Sequence, residues 1–490
     1  MKARSGPLAS QAITDDERAY AASLIERARV ALAVAEQYTQ EEVDRYCQAV
    51  GWAVTNEATF ARLAQMSVEE GGIGDPDGRV SKRFRIMGVL RDVLREKSVG
   101  VIEEIPAKGI IKYGKPAGVV VSLIPATNPE STPPCVALPA IKCRDAVIFS
   151  PHPRTKQTTT AVVEVMRRAL ERAGACPDIL QCVQTPTIPL AKYLMSACDL
   201  VQATGGSDMV RAAYSSGKPA YGVGAGNSTM VIDETADVEI AARNTRISKT
   251  SDFGSGCSAD GNLIIEASVY DRLLAQLVKE GGYVVSPEEA EQLRGVLWDD
   301  SGRRTSNTIA VSPQKLASLA GIDAPADRLF FIAEQDGVVP EARFPGEKLC
   351  VVLATFKYEG FENALKLVRA VLEIGGKGHS CGIYSHNEDH VRSLALAAPV
   401  GRIMVRQPQY VGNAGSFTNG MPFTASIGCG TWGGNTTSEN ITVKHYMNVT
   451  WVSYEIPEDR PLESDLFGEF YGAEISIPPE LEDLGAARDT

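Results

Sequence analysis

Cys257 and Cys429 share a setting that suits a reactive thiol. Cys257 lies in Thr250-Ser-Asp-Phe-Gly-Ser-Gly-Cys-Ser-Ala-Asp260, a run of small residues between a helical and a strand-like pattern. A thiolate nucleophile needs an open approach and nearby backbone N-H groups to stabilise negative charge, and glycine-flanked loops supply both. Cys429, in Ile427-Gly-Cys-Gly-Thr-Trp-Gly-Gly434, has the same flanks. Local sequence does not separate the two, and a plain turn cysteine is the third alternative. Cys135, Cys143, Cys182 and Cys198 sit in apolar segments, as reduced core residues do. With no CxxC pair and five scattered histidines, no local metal motif is present and no metal is expected.

Other groups fit the same chemistry. Asn128, in Ile124-Pro-Ala-Thr-Asn-Pro129, ends a buried strand, where its amide can donate to an oxyanion; its plain reading is an Asn-Pro turn. His379, in Gly375-Gly-Lys-Gly-His-Ser-Cys-Gly382, is the histidine best placed to face a cleft, and His152 follows a strand end. The GxGxxG dinucleotide fingerprint is absent; the nearest run, Gly222-Val-Gly-Ala-Gly226, has another spacing. Ala203-Thr-Gly-Gly206 instead leads into a helix starting at Ser207, offering free N-H groups to a phosphate, although such a run is more often only a sharp turn.

These loops need rigid elements beneath them. Residues 13–50 read as an amphipathic helix with an apolar stripe through Leu24, Ala28, Val30, Ala31, Val34 and Ala35. From Gly118 onward short apolar strands (118–124, 146–149, 199–201, near 219 and 230) alternate with helices (from 131, 158–173, from 207). The second half repeats the style, with strands at 262–265, 307–310 and 350–353 and helices at 271–280 and 361–372. This alternation predicts α/β architecture, with right-handed crossovers and parallel sheets covered on both faces. Segments 100–115 and 446–456 break the rhythm as two ribbons, which are expected to pair with each other or with another subunit.

Composition limits the partners. At 490 residues the chain exceeds a single core and predicts two or three domains. A formal charge of -12 without a Lys/Arg cluster disfavours nucleic acid as a partner. The start has no apolar leader and the longest apolar runs are too short to span a bilayer, so a cytoplasmic protein without membrane contact is expected.

From about residue 15 to 455 the chain resembles the coenzyme-A-acylating branch of the aldehyde dehydrogenase superfamily. The resemblance rests on Ile124-Pro-Ala-Thr-Asn-Pro129, Ile148-Phe-Ser-Pro-His-Pro-Arg154, Ala213-Tyr-Ser-Ser-Gly-Lys-Pro219, Gly222-Val-Gly-Ala-Gly-Asn227 with Asp233-Glu-Thr-Ala-Asp237, and Cys429-Gly-Thr-Trp-Gly-Gly-Asn435. It implies an aldehyde dehydrogenase fold of two Rossmann-like parallel-sheet domains and a small β-ribbon oligomerisation element. The implied boundaries are 1–98 and 118–226 for the dinucleotide-binding domain, 227–440 for the catalytic domain, 99–117 and 441–460 for the ribbons, and 461–490 for a tail. A homodimer or homotetramer is implied with it.

The resemblance also assigns roles. Cys257 falls at the nucleophile and Cys429 in a structural turn; Asn128 and the Cys257 N-H match the oxyanion donors, and His379 matches a histidine of the branch. Ser150, His152, Pro153, Arg154, Thr204, Gly205, Gly206, Gly222, Gly224 and Glu347 match segments that hold NADP or NAD, with Glu347 at the nicotinamide ribose. Hydrolytic members carry a glutamate base where Gly222 stands here, so nothing at that position activates water and coenzyme A is the expected acyl acceptor. The substrate region is small and polar, and its loop 409–420 resembles most the members that act on sulfoacetaldehyde. Ser258, Arg246, Tyr410 and Asn413 are the expected substrate contacts, Arg246 toward a sulfonate. The competing expectations are an acetaldehyde or propionaldehyde enzyme of the same branch, a hydrolytic dehydrogenase, and a silent nucleotide-binding protein.

Overall fold

A computed structural model describes residues 12–339 and 343–474. The expected single helix over 13–50 is two, Asp15–Ala35 and Gln40–Thr55. Thr39 divides them: its hydroxyl accepts from Glu42 N while the Glu42 carboxylate accepts from Thr39 N, a reciprocal cap that starts a new helix. Thr14 and Glu17 build the same cap on the first. Helices Glu57–Gly71 and Arg83–Arg95 complete an N-terminal layer, Arg83–Arg95 reaching toward the site.

Among the described residues the strands form three sheets. The first is parallel, in the spatial order Leu180–Cys182, Ala146–Pro151, Val119–Ile124, Leu200–Thr204, Ala220–Val223. Val119–Ile124 is buried throughout, as a strand covered on both faces must be. Chain order reverses between Val119–Ile124 and Leu200–Thr204, so a crevice opens at their carboxyl ends, where 125–128 and 205–206 emerge.

The second sheet, also parallel, runs Gly282–Val284, Phe330–Gln335, Val352–Tyr358, Asn262–Glu266, Thr229–Ile232, Cys381–Tyr384, Ile403–Val405. The strand expected at 307–310 does not form. Ser306–Thr308 is a 3-10 turn and Ala310 is left-handed (φ 49°), with its N-H bonded to Leu349 O. Phe330–Gln335, which the sequence reading missed, takes a place beside Val352–Tyr358. One apolar core packs on this sheet and two others cover the faces of the first.

The two ribbons pair with each other: Met447–Ser453 lies antiparallel to Ile110–Pro116, which pairs on its other side with Gly100–Ile105. After the ribbon the chain forms a short helix, Glu463–Phe467, and residues 475–490 of the expected tail lie outside the described residues. No described helix is long and apolar enough to cross a membrane.

Candidate active site

Four functional loops precede neighbouring strands of the second sheet: Ser228 before Thr229–Ile232, Cys257 before Asn262–Glu266, Glu347 before Val352–Tyr358 and His379 before Cys381–Tyr384. They gather because parallel strands bring all their amino ends to one edge.

The loop carrying Cys257 is held in a costly conformation. Asp252 and Phe253 are left-handed (φ 48° and 50°), a region non-glycine residues rarely occupy. Asp252 is locked by Arg79 Nε (3.0 Å), Lys82 Nζ (2.6 Å), Ser255 Oγ (2.5 Å) and the Asp75 N-H (2.7 Å), all donating to its carboxylate. Burial alone would raise the Asp252 carboxyl; the Lys82 and Arg79 charges outweigh it and hold it below its ordinary value. Arg79 also reaches Glu130 at 3.3 Å, and the four charges of Arg79, Lys82, Glu130 and Asp252 cancel in a buried cluster. Lys82 Nζ further donates to Asn128 Oδ1 (2.7 Å), tying the expected oxyanion amide to the cysteine loop.

Cys257 is partly exposed, whereas Cys429 is fully buried with its thiol on Ile427 O. A Cβ at Gly226 would fall on the Cys257 carbonyl, so only glycine allows these backbones to approach. Cys257 Sγ lies 3.2 Å from His379 Nε2; His379 Nδ1 lies 2.9 Å from Ser380 Oγ, which lies 3.0 Å from Ser228 Oγ, and Ser228 donates to the Cys257 carbonyl at 3.2 Å. Burial, with Glu347 and Cys429 adding, pushes the Cys257 thiol up to about 11, against a hydrogen bond from Ser258 and the charge of Arg85. Burial, helped by Arg402, drives His379 down to about 3. At neutral pH the resting pair is thiol and neutral imidazole.

Glu347 Oε1 accepts from Gly226 N at 2.8 Å, and burial raises its carboxyl despite that bond and the charges of Arg304 and Lys348. The other expected cofactor residues lie along the first sheet's crevice. Ser150 is buried at a strand end, His152, Pro153 and Arg154 are exposed beyond it, and His152 Nδ1 accepts from Arg154 N at 3.1 Å. Thr204 ends the strand Leu200–Thr204 and faces Ser426; open space lies beyond Gly206 where a Cβ would stand, and Gly205 meets only Met209 at 3.7 Å. A carboxylate for a ribose diol, glycines that leave room for a pyrophosphate and a helix start at Ser207 fit a dinucleotide. A Cβ at Gly222 would lie 2.6 Å from Val210 Cγ1 and 2.7 Å from Tyr214 Cε2, so the space that a side chain at this position needs is filled by the helix Ser207–Tyr214. Gly224 faces Cys429.

The substrate expectations divide. Ser258 and Tyr410 stand beside the cysteine: a Cβ at Gly256 would meet the Tyr410 ring at 2.6 Å. Asn413 is fully buried beneath the loop, its Nδ2 donating to Gln409 Oε1 and its backbone carbonyl accepting from Asn440 Nδ2. Arg246 is a correction: its guanidinium is taken by Glu280 (2.7 Å) in a separate surface depression with Asp327 and Arg328. Sequence reading missed Arg85, whose guanidinium stacks on the Tyr410 ring 5.8 Å from its centroid and makes no ion pair among the described residues. It also missed Lys82, Ser228 and Ser380. Only the position of Lys82 just before, and Arg85 in the first turn of, a helix that starts beside the site hinted at them.

Residues 8–289 match the model of the aldehyde dehydrogenase family. A sulfoacetaldehyde dehydrogenase from an Acholeplasma species is 42% identical over 91% of this chain and 93% of its own. An acetylating succinate-semialdehyde dehydrogenase from Clostridium kluyveri is 38% identical over 88% and 95%. The crystal structure of an acetylating aldehyde dehydrogenase from Geobacillus thermoglucosidasius superposes with a TM-score of 0.88 at 34% identity, covering 91% of this chain and 99% of that one. The fold is therefore that of the aldehyde dehydrogenases. The chain belongs to the aldehyde dehydrogenase family, as an acylating aldehyde dehydrogenase.

Proposed function

We propose that this chain oxidises a small anionic aldehyde, with sulfoacetaldehyde first, to its coenzyme A thioester with reduction of NADP or NAD. Cys257 is the nucleophile, Asn128 and the Cys257 N-H hold the oxyanion, and His379 takes the thiol proton. The observation that carries the anionic substrate is Arg85, a guanidinium without an ion partner among the described residues, stacked on the tyrosine that abuts Gly256. A sulfonate or carboxylate two or three atoms from the aldehyde carbon would pair with it. The sulfoacetaldehyde and succinate-semialdehyde relatives both have anionic aldehydes in their names, which supports the same class.

In this mechanism His379 removes the proton as Sγ attacks the carbonyl, because a thiol near 11 is little ionised at neutral pH. Asn128, its oxygen held by Lys82, turns its N-H side to the developing charge. Glu347 and the loops at 150–154 and 204–206 would hold the nicotinamide cofactor, which would supply the hydride acceptor. Coenzyme A sulfur then attacks the acyl-cysteine, and the filled space around Gly222 leaves water without a base. The divided first sheet with its helices is assigned to cofactor binding, the second sheet to catalysis, and the ribbon to a homodimer or homotetramer. Trp451 and Val449 are exposed on that ribbon.

The test is a substrate panel on the wild type and Arg85→Met, with and without coenzyme A and with both cofactors. Wild type should prefer sulfoacetaldehyde over acetaldehyde, and Arg85→Met should lower kcat/KM for sulfoacetaldehyde by about 10–100-fold while leaving acetaldehyde within about twofold. Equal losses on both aldehydes would remove the anionic-substrate reading.

A further inference from the structure

His379, Ser380, Ser228 and Cys257 form a closed ring of polar contacts in which each hydroxyl has one proton to give. Ser228 reaches the Cys257 carbonyl (3.2 Å), and a carbonyl can only accept, so the Ser228 proton points there. Ser228 Oγ then accepts from Ser380 across 3.0 Å, and Ser380 Oγ, its proton used, accepts from His379 Nδ1 across 2.9 Å. Ser228 and Ser380 are 0% and 1% exposed, and neither has another side-chain partner among the described residues, so no competing bond redirects the chain. Run in the opposite sense, the ring leaves the Cys257 carbonyl without this donor and puts a proton on Nε2, facing the sulfur. The first sense satisfies every member.

We propose that Ser228 and Ser380 are positioning residues that fix His379 as the Nδ1-H tautomer, so that the Nε2 lone pair faces the Cys257 thiol. This rests on the reading of Cys257 as nucleophile and His379 as its base. The proton passes from Sγ to Nε2, leaving a thiolate and an imidazolium whose Nδ1-H stays on Ser380; no other bond changes. The ring also returns to the cysteine's own backbone through Ser228, so the orientation of the base is referenced to the residue it serves. Arg402 Nη1 donates to the His379 carbonyl at 3.0 Å, fixing the backbone without touching the ring nitrogens.

Two measurements on the full chain, with no aldehyde, coenzyme A or cofactor, test this. The first is the rate of iodoacetamide alkylation at Cys257 from pH 6 to 10, read by peptide mass spectrometry because Cys176 and Cys182 are also partly exposed. Ser380→Ala and Ser228→Ala should each slow it at least about tenfold near pH 7, less at pH 10, and neither should add to His379→Ala. The second is the imidazole 15N spectrum of His379. It should show a bare Nε2 and protonated Nδ1 in wild type, and a mixture in Ser380→Ala. A slow His379→Ala beside an unchanged Ser380→Ala in both measurements would overturn the relay and keep His379 as base. Unchanged alkylation in His379→Ala would overturn the base and the relay together.

Discussion

Lys82 Nζ donates at once to Asn128 Oδ1 (2.7 Å) and to Asp252 Oδ2 (2.6 Å), so one ammonium joins the strand-end amide to the left-handed turn that leads to Cys257. Because an ammonium has no lone pair, Asn128 must present its oxygen to Lys82, and its nitrogen is left as the donor. Asn128 Nδ2 spends one hydrogen on Thr127 Oγ1 (3.1 Å). The other is the hydrogen that the proposed mechanism directs to the substrate oxygen.

Replacing Lys82 with Met should therefore act through Asn128. Loss of an oxyanion donor costs about 10²–10³ in kcat. Lys82→Met is expected to approach that loss, and the Lys82→Met/Asn128→Ala double variant to be no slower than Asn128→Ala alone, as steady-state kinetics of the three will show. Leaving Asp252 and Glu130 with Arg79 as their one close cation should also cost about 3–5 kcal/mol of stability, visible as a lower urea midpoint.

Gly222→Glu should not create a hydrolytic enzyme. The added side chain meets Val210 and Tyr214, so the variant is expected to lose about 1–3 kcal/mol of stability and gain no coenzyme-A-independent turnover. Thermal unfolding and acid release read the two effects separately.

Without coenzyme A, the wild type should reduce about one equivalent of cofactor per site and stop, since the acyl-cysteine has no acceptor. Cys257→Ala should give no burst, whereas Cys429→Ala should keep it, because the Cys429 thiol is buried on Ile427 O. Stopped-flow absorbance at the reduced nicotinamide band checks all three.

Asp260 gives a pH signature of folding. Burial raises its carboxyl to about 7, although Gln409 and Lys249 oppose that, and its Oδ2 has no partner among the described residues. An unfolded aspartate titrates near about 3.9, so between about pH 4 and 7 the folded chain holds a proton that the unfolded chain has released. This contribution to stability is full below the unfolded value and falls as pH rises through that window. Asp260→Asn should flatten the fall, measured as urea midpoints at pH 5 and pH 8.

The loops of this site were legible because their chemistry is written in contiguous residues. Glycine flanks narrow the reactive thiol to Cys257 and Cys429, the strand-end pattern marks Asn128 as a candidate donor, and the alternation of short apolar strands with helices predicts parallel sheets. The Thr39-Glu42 cap is equally local, but the apolar stripe that runs on through it hides the break between the two helices. Cys257 and Cys429 could not be told apart by their neighbours, since burial of the second depends on packing against Gly224 and Gly433, far off or on the other side of its own turn.

What the sequence by itself determined is the fold class and, through the family it resembles, the acylating chemistry; its local pattern left two glycine-flanked cysteine loops as candidates for the thiol. Only the tertiary structure decided which charges serve the Cys257 loop. Arg246, expected to reach a sulfonate, is paired with Glu280, while Arg85, which the sequence reading did not single out, lies over the Tyr410 ring and makes no ion pair among the described residues. Lys82 meets Asp252 across 170 residues, and Ser228 meets Ser380 across 152. A side-chain pair of this kind leaves no periodicity or spacing in the chain, because its geometry is set by which strand edges the fold brings together and not by the residues next to either partner.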